Sequence, residues 1–98
     1  MKQYNVKITD EALADMEQLY HHIAYVLQPP ENAMKQYNRI ADAILKLDFM
    51  PERFPIRNTE PEYSRKIRSM SVDNYLVFYL IKEDKVIVTN VFYSASDI

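Results

Sequence analysis

Apolar and polar side chains alternate from Tyr4 to Ile8 (YNVKI), the period of a half-buried β-strand. Thr9 and Asp10 interrupt that alternation and supply a helix cap, with Asp10 and Glu11 well placed for the positive end of the helix dipole. Beyond them Leu13, Met16, Tyr20, Ile23 and Leu27 recur at spacings of three and four, one stripe of an amphipathic helix. Pro29 and Pro30 in QPPEN cannot continue that helix but can begin another. Ala33, Tyr37, Ile40, Ile44 and Leu47 form a second stripe, so an antiparallel helical hairpin is expected.

The next stretch, FMPERFPIRNTEPEY, holds Pro51, Pro55 and Pro61 and predicts an irregular, exposed connection. Three strand candidates follow: RKIRSMSV ending at a tight turn on Asp73-Asn74, YLVFYLI ending at KEDK, and VIVTNVFY. The predicted order is β-α-α-β-β-β, an α+β fold in which the hairpin packs on one face of a small, mainly antiparallel sheet. Residues 1–98 are expected to form a single domain, without repeats or linkers.

One strand is unusual within this plan. In YLVFYLI the row Tyr75, Val77, Tyr79, Ile81 and the row Leu76, Phe78, Leu80 are both apolar. Two helices cover one row, and nothing else in the predicted plan covers the other. A patch of Leu, Phe and Leu in water is unusual for a monomer, so Leu76, Phe78 and Leu80 are expected to bind a partner chain. The alternative is that side chains of the proline-rich loop fold over them.

Composition narrows the chemistry. Hydrophobic residues make up 48% and charged residues 27%, and the formal charge of −2 argues against a strongly basic nucleic-acid-binding domain. The charge is uneven, because residues 51–72 carry five basic side chains (Arg53, Arg57, Arg65, Lys66, Arg68) against three acidic ones. An anion-binding surface is therefore expected there. Absence of cysteine excludes disulfides and thiolate metal sites and suits a reducing cytosol, and no apolar run or leader pattern points to a membrane. Absence of glycine excludes phosphate-cradling glycine loops and G-x-S-x-G elbows, and leaves Asn and Asp as the expected residues for positive φ.

No metal or nucleophile motif emerges. His21 and His22 are adjacent and point about 100° apart on a helix, so they are expected to be solvated rather than to share an ion. Neither is tied by spacing to a serine. On an extended strand Lys66 and Arg68 would share a face and suit a phosphate, with Arg53 and Arg65 as further phosphate-binding candidates. The plainer reading of RKIR is an edge strand guarded by charge. Tyr93 is placed to stack on a base or donate a proton, or simply to edge the core.

Taken together, YNVKITDEALADMEQLYHHI, FMPERFP and VDNYLVFYLIKEDKVIVTNVFYSASD resemble the RelE/ParE superfamily, the toxin half of type II toxin–antitoxin pairs. The resemblance implies a cytoplasmic toxin of a plasmid-stabilisation type of system, without a cofactor, held inactive by a small antitoxin and open to self-association as a homodimer without it. In the RelE-like branch it implies a ribosome-dependent mRNA endonuclease, in which the 2′-hydroxyl of the mRNA attacks the neighbouring phosphate. Lys66, Arg68 and Tyr93 would then be the catalytic set. In the ParE-like branch it implies a protein that binds DNA gyrase and needs no catalytic residues. The nuclease pattern has an arginine after the tyrosine that opens the middle strand, where this chain has Leu76 after Tyr75. It also tends to a basic residue after the last strand, where this chain reads SASDI. NYLVFY is thus closer to the gyrase-binding branch, with an inactive interaction module as a third reading.

Overall fold

A computed structural model describes residues 3–27 and 30–94; the Leu27 side chain, Pro29 and the stretch 95–98 lie outside the description. Strand β1 spans Asn5–Ile8 and helix α1 spans Asp10–His22, continued by a π-helical turn over Ile23–Leu27. Helix α2 spans Pro30–Leu45. Strands β2 (Arg68–Val72), β3 (Tyr75–Lys82) and β4 (Lys85–Tyr93) follow. The sheet order is β1-β4-β3-β2, with β1 parallel to β4 and the other two pairings antiparallel. This is the expected α+β plan. The helical hairpin is what carries the chain back so that β1 can lie beside β4.

Local chemistry explains the ends. Thr9 caps α1 by accepting the Ala12 N–H on its hydroxyl at 3.1 Å, and its own hydroxyl donates to the Thr89 carbonyl at 3.2 Å. The cap therefore fixes both the helix start and its position over β4. Along α2 and the 3-10 turn that continues it over Lys46–Asp48, Ala33, Ile40, Ile44 and Leu47 are buried as their spacing predicts, with Tyr37 partly so. The α1 stripe is rotated from the expected one. Ala12, Met16, Leu19 and Ile23 are buried, while Leu13 is 45% exposed. Alanine is small enough to let α1 approach β4 closely, so the contact runs along Ala12 rather than Leu13.

One turn uses the Asn and Asp residues expected of a glycine-free sequence. Asp73 adopts positive φ at the β2–β3 turn, and Gln36 and Arg39 of α2 both bond its carboxylate, the latter through a pair of bonds at 2.8 and 2.9 Å. Met50, Lys66 and Glu83 also take positive φ, against the expectation that Asn and Asp would serve. Each costs roughly 1–2 kcal/mol of side-chain crowding, which surrounding contacts must offset. For Met50 the offset is visible next door. Pro51 is fully buried, and its carbonyl accepts a 2.6 Å hydrogen bond from the buried Tyr79 hydroxyl. The proline-rich connection is thus not wholly exposed. It is pinned into the core at one point.

Candidate functional site

Alternation along β3 sends Tyr75, Val77 and Tyr79 into the core beneath the helices and Leu76, Phe78 and Leu80 to the opposite, half-exposed side. Strand register sets Phe92 of β4 beside Leu76 and Ile87 beside Leu80, and sets Ser71 and Ser69 of β2 on the other flank. The Phe78 and Phe92 rings meet edge-on at 5.1 Å, and Phe92 is 44% exposed. The result is an apolar surface built from two adjacent strands. Lys7, Lys82 and Lys85 share this side of the sheet by the same alternation, and no strand position on it, among the described residues, is acidic.

Phe92 reaches this face because β4 contains a bulge. Phe78 pairs with Asn90 but Tyr79 pairs with Val88, so Thr89 is extra. Inward positions therefore run Val86, Val88, then Val91, and Phe92 turns outward. Asp15 of α1 stabilises the irregularity, since its carboxylate accepts the Val91 N–H at 2.9 Å and the Asn90 amide at 3.3 Å. The spacing Val86, Val88, Val91 was the available sequence signal for this shift.

The proline-rich connection covers part of the surface. Ile56 bridges to Arg68 at the β2 edge, and the following N–H, that of Arg57, donates to the Ile67 carbonyl at 2.9 Å. This brings the Arg57 guanidinium over the Phe78 ring, 4.7 Å from its centroid, with one nitrogen donating to Ser69 Oγ at 3.2 Å. Its Nε is shut off from solvent and has no acceptor. Such a donor costs roughly 1–3 kcal/mol. Arg57 is therefore a site residue that the charge count alone did not single out. A small cavity of about 340 Å³ lies beside it, lined by Pro55, Ile56, Asn58 and Ser69.

Two other basic residues of the segment, Arg53 and Arg68, are turned to backbone carbonyls. Strand β2 begins at Arg68 rather than Arg65, and Lys66 sits in the preceding turn with φ of 59°. Lys66 and Arg68 therefore do not share a strand face as the extended reading of RKIR requires. Arg68 pairs with Tyr79, which places it on the helix side of the sheet, and its guanidinium donates to the Glu52 and Phe54 carbonyls at 3.1 and 2.6 Å. Arg53 donates to the Phe49 and Met50 carbonyls at 2.6 and 3.0 Å and lies over Phe54. A proline-rich loop without regular pairing leaves carbonyls unsatisfied, and these two arginines supply the donors. Arg65 is exposed. Tyr93 lies beside Tyr75, rings 5.3 Å apart, at the far end of β4. It is removed from Arg68 by four residues of β3, roughly 13 Å along the strand.

Burial also limits acid–base chemistry near the loop. The Tyr79 hydroxyl is pushed up to about 12, mainly by burial, so it holds its proton at neutral pH as a structural donor. His21 and His22 are exposed on α1, and no three His, Asp or Glu side chains among the described residues group to hold a metal ion. Among the described residues no helix is long and apolar enough to cross a membrane.

With this geometry in hand, comparison with known proteins is decisive about kinship. Residues 6–98 match the family described as ParE toxin of type II toxin-antitoxin system, parDE. This chain belongs to the ParE toxin family. Among solved structures, the chromosomal ParDE toxin–antitoxin system from P. aeruginosa contains a chain similar to this ParE-family protein, with a TM-score of 0.74 and 19% identity over 94% of this chain and 97% of that one. The toxin–antitoxin complex RelBE2 from Mycobacterium tuberculosis contains another, with a TM-score of 0.67 and 21% identity over 98% and 97%. At such identities these two likenesses speak to the fold. No curated protein matches this ParE-family chain significantly.

Proposed function

We propose that this toxin arrests growth by binding DNA gyrase rather than by cutting RNA, and that a cognate antitoxin in the cytoplasm neutralises it by covering the open sheet face. The observation that carries this reading is the character of that face. Leu76, Phe78 and Leu80, joined by Ile87 and Phe92, make a hydrophobic protein-binding surface where RNA cleavage would require convergent cations. Arg68 is held by loop carbonyls, Lys66 lies in a turn, and Tyr93 is far from both, which speaks against a shared catalytic centre. The two similar structures are complexes of toxins with antitoxins, which supports an antitoxin as the natural cover. Without it, the same apolar face favours pairing of two toxin chains.

Two assays on the purified protein test the reading. The expected outcome is inhibited supercoiling by purified gyrase, together with intact mRNA in primer extension on a reconstituted translation reaction. Codon-phased 5′ ends would instead establish a ribosome-dependent nuclease. No effect in either assay would leave an inactive interaction module.

A further inference from the structure

Arg57 stands apart from the other arginines of its segment. Arg53 and Arg68 spend their guanidinium groups on backbone carbonyls, whereas Arg57 lies across an aromatic ring on the open face with a solvent-excluded Nε that has no acceptor. Among the described residues, its hydrogen-bonded side-chain partner is the Ser69 hydroxyl, a neutral group. A guanidinium offers five donors in a plane that matches a carboxylate. Lys7, Lys82 and Lys85 occupy the same face as the apolar row, with Lys85 3.6 Å from the exposed Asp84 carboxylate of the adjoining turn, and that face has no acidic strand position among the described residues. The surface is therefore complementary to a segment that is apolar and acidic together.

Building on the reading of the chain as an antitoxin-controlled toxin, we propose that Arg57 is the anchor for a carboxylate of the antitoxin. That carboxylate belongs to an amphipathic acidic segment whose apolar side chains lie on Leu76, Phe78, Leu80 and Phe92. Nucleic acid fits the same cations less well. The side chains of Leu76, Phe78, Leu80 and Phe92 offer no hydrogen-bond donor to a sugar–phosphate backbone, and the chain carries a formal charge of −2. A protein segment satisfies both parts of the surface at once, with the carboxylate fixing register and the apolar contacts excluding water.

The direct test follows the Arg57 Nε–H by nitrogen–proton NMR in the wild-type protein, the resonance being assigned by its loss in Arg57→Lys. The probes are a short amphipathic peptide of leucine, alanine and glutamate, the same peptide with glutamine for glutamate, and a single-stranded RNA oligonucleotide. The expected result is a downfield shift of the Arg57 Nε–H with the glutamate peptide and about tenfold weaker binding of the glutamine peptide. Equal binding of the two peptides, no binding of the glutamate peptide, or an RNA-induced shift of the same resonance would overturn the proposal.

Growth assays with Arg57→Met separate antitoxin from target. About tenfold weaker antitoxin binding by a variant that melts like the wild type, measured on the purified pair, supports the antitoxin as occupant. Lost toxicity with undiminished antitoxin binding by a variant that melts like the wild type assigns the arginine to the target instead and overturns the proposal. Failure of the wild-type chain to bind any antitoxin would refute the neutralisation reading itself, whereas the resonance shift decides the carboxylate contact without it.

Discussion

On one side of β3, Tyr75, Val77 and Tyr79 are at most 5% exposed; on the other, Leu76, Phe78 and Leu80 remain half-open to solvent. Both rows are apolar, so hydrophobicity does not tell them apart. The inner row is completed within the chain by Ile40, Ile44, Met16 and Leu19, and by the Tyr79 hydroxyl closing on the Pro51 carbonyl. The outer row is completed only in part, by one arginine laid over one phenylalanine. Apolar surface inside a finished core stabilises the fold, while the same kind of surface outside it is available to stabilise a complex.

Substitutions at the two faces should therefore separate folding from binding. The largest loss is expected from Ile40→Ala beneath the sheet. Ile40 is 0% exposed, and the cavity left behind should lower unfolding free energy by about 2–5 kcal/mol in a chemical denaturation curve. A loss below about 1 kcal/mol would mean that the core relaxes around the hole and that the two faces differ less in their share of the folding energy.

Tyr79→Phe should cost less, about 1–2 kcal/mol, by removing the single bond that pins Pro51. It should also change the alkaline limb of the stability profile. Because burial raises the Tyr79 hydroxyl from 10.0 to about 12 in the folded protein, its contribution is complete below pH 10 and declines as pH rises toward 12. Denaturation curves across that window should fall more steeply for the wild type than for Tyr79→Phe. Parallel slopes would assign the alkaline sensitivity to other groups.

On the outer face Leu80→Ser should change stability by no more than about 0.5 kcal/mol while weakening partner binding by tenfold or more. Titration calorimetry against the antitoxin, beside a thermal melt, reads the two effects separately. A large drop in melting temperature with unchanged binding would reverse the roles of the two faces.

The smallest effect belongs to the Arg39–Asp73 pair, which ties α2 to the β2–β3 turn at the surface. Hydrogen bonds from Arg39 and Gln36 hold the Asp73 carboxyl below its ordinary 3.8, so its contribution is present above that pH and is lost as pH falls through the lowered value. Asp73→Asn should flatten the acid limb slightly, and less so at high salt because the pair is exposed.

Much of this protein was legible in its residues taken in order. The Ala33-to-Leu47 stripe, the Thr9 cap, the Asp73-Asn74 turn and the doubly apolar YLVFYLI depend on near neighbours, so spacing alone determined the hairpin, the order of elements along the chain and an apolar row left over. RKIR and VIVTNVFY were different. The first became turn and then strand because Arg68 is drawn to carbonyls contributed by residues 52 and 54. The second slipped by one residue because Asp15, far away in the chain, accepts its bulged backbone. Arg57 reached Phe78 only through the Ile56 bridge to the edge of β2. Sequence by itself determined that both faces of β3 are apolar. Which cation lies against them was decided by long-range hydrogen bonds, whose partners become neighbours only when the chain has folded.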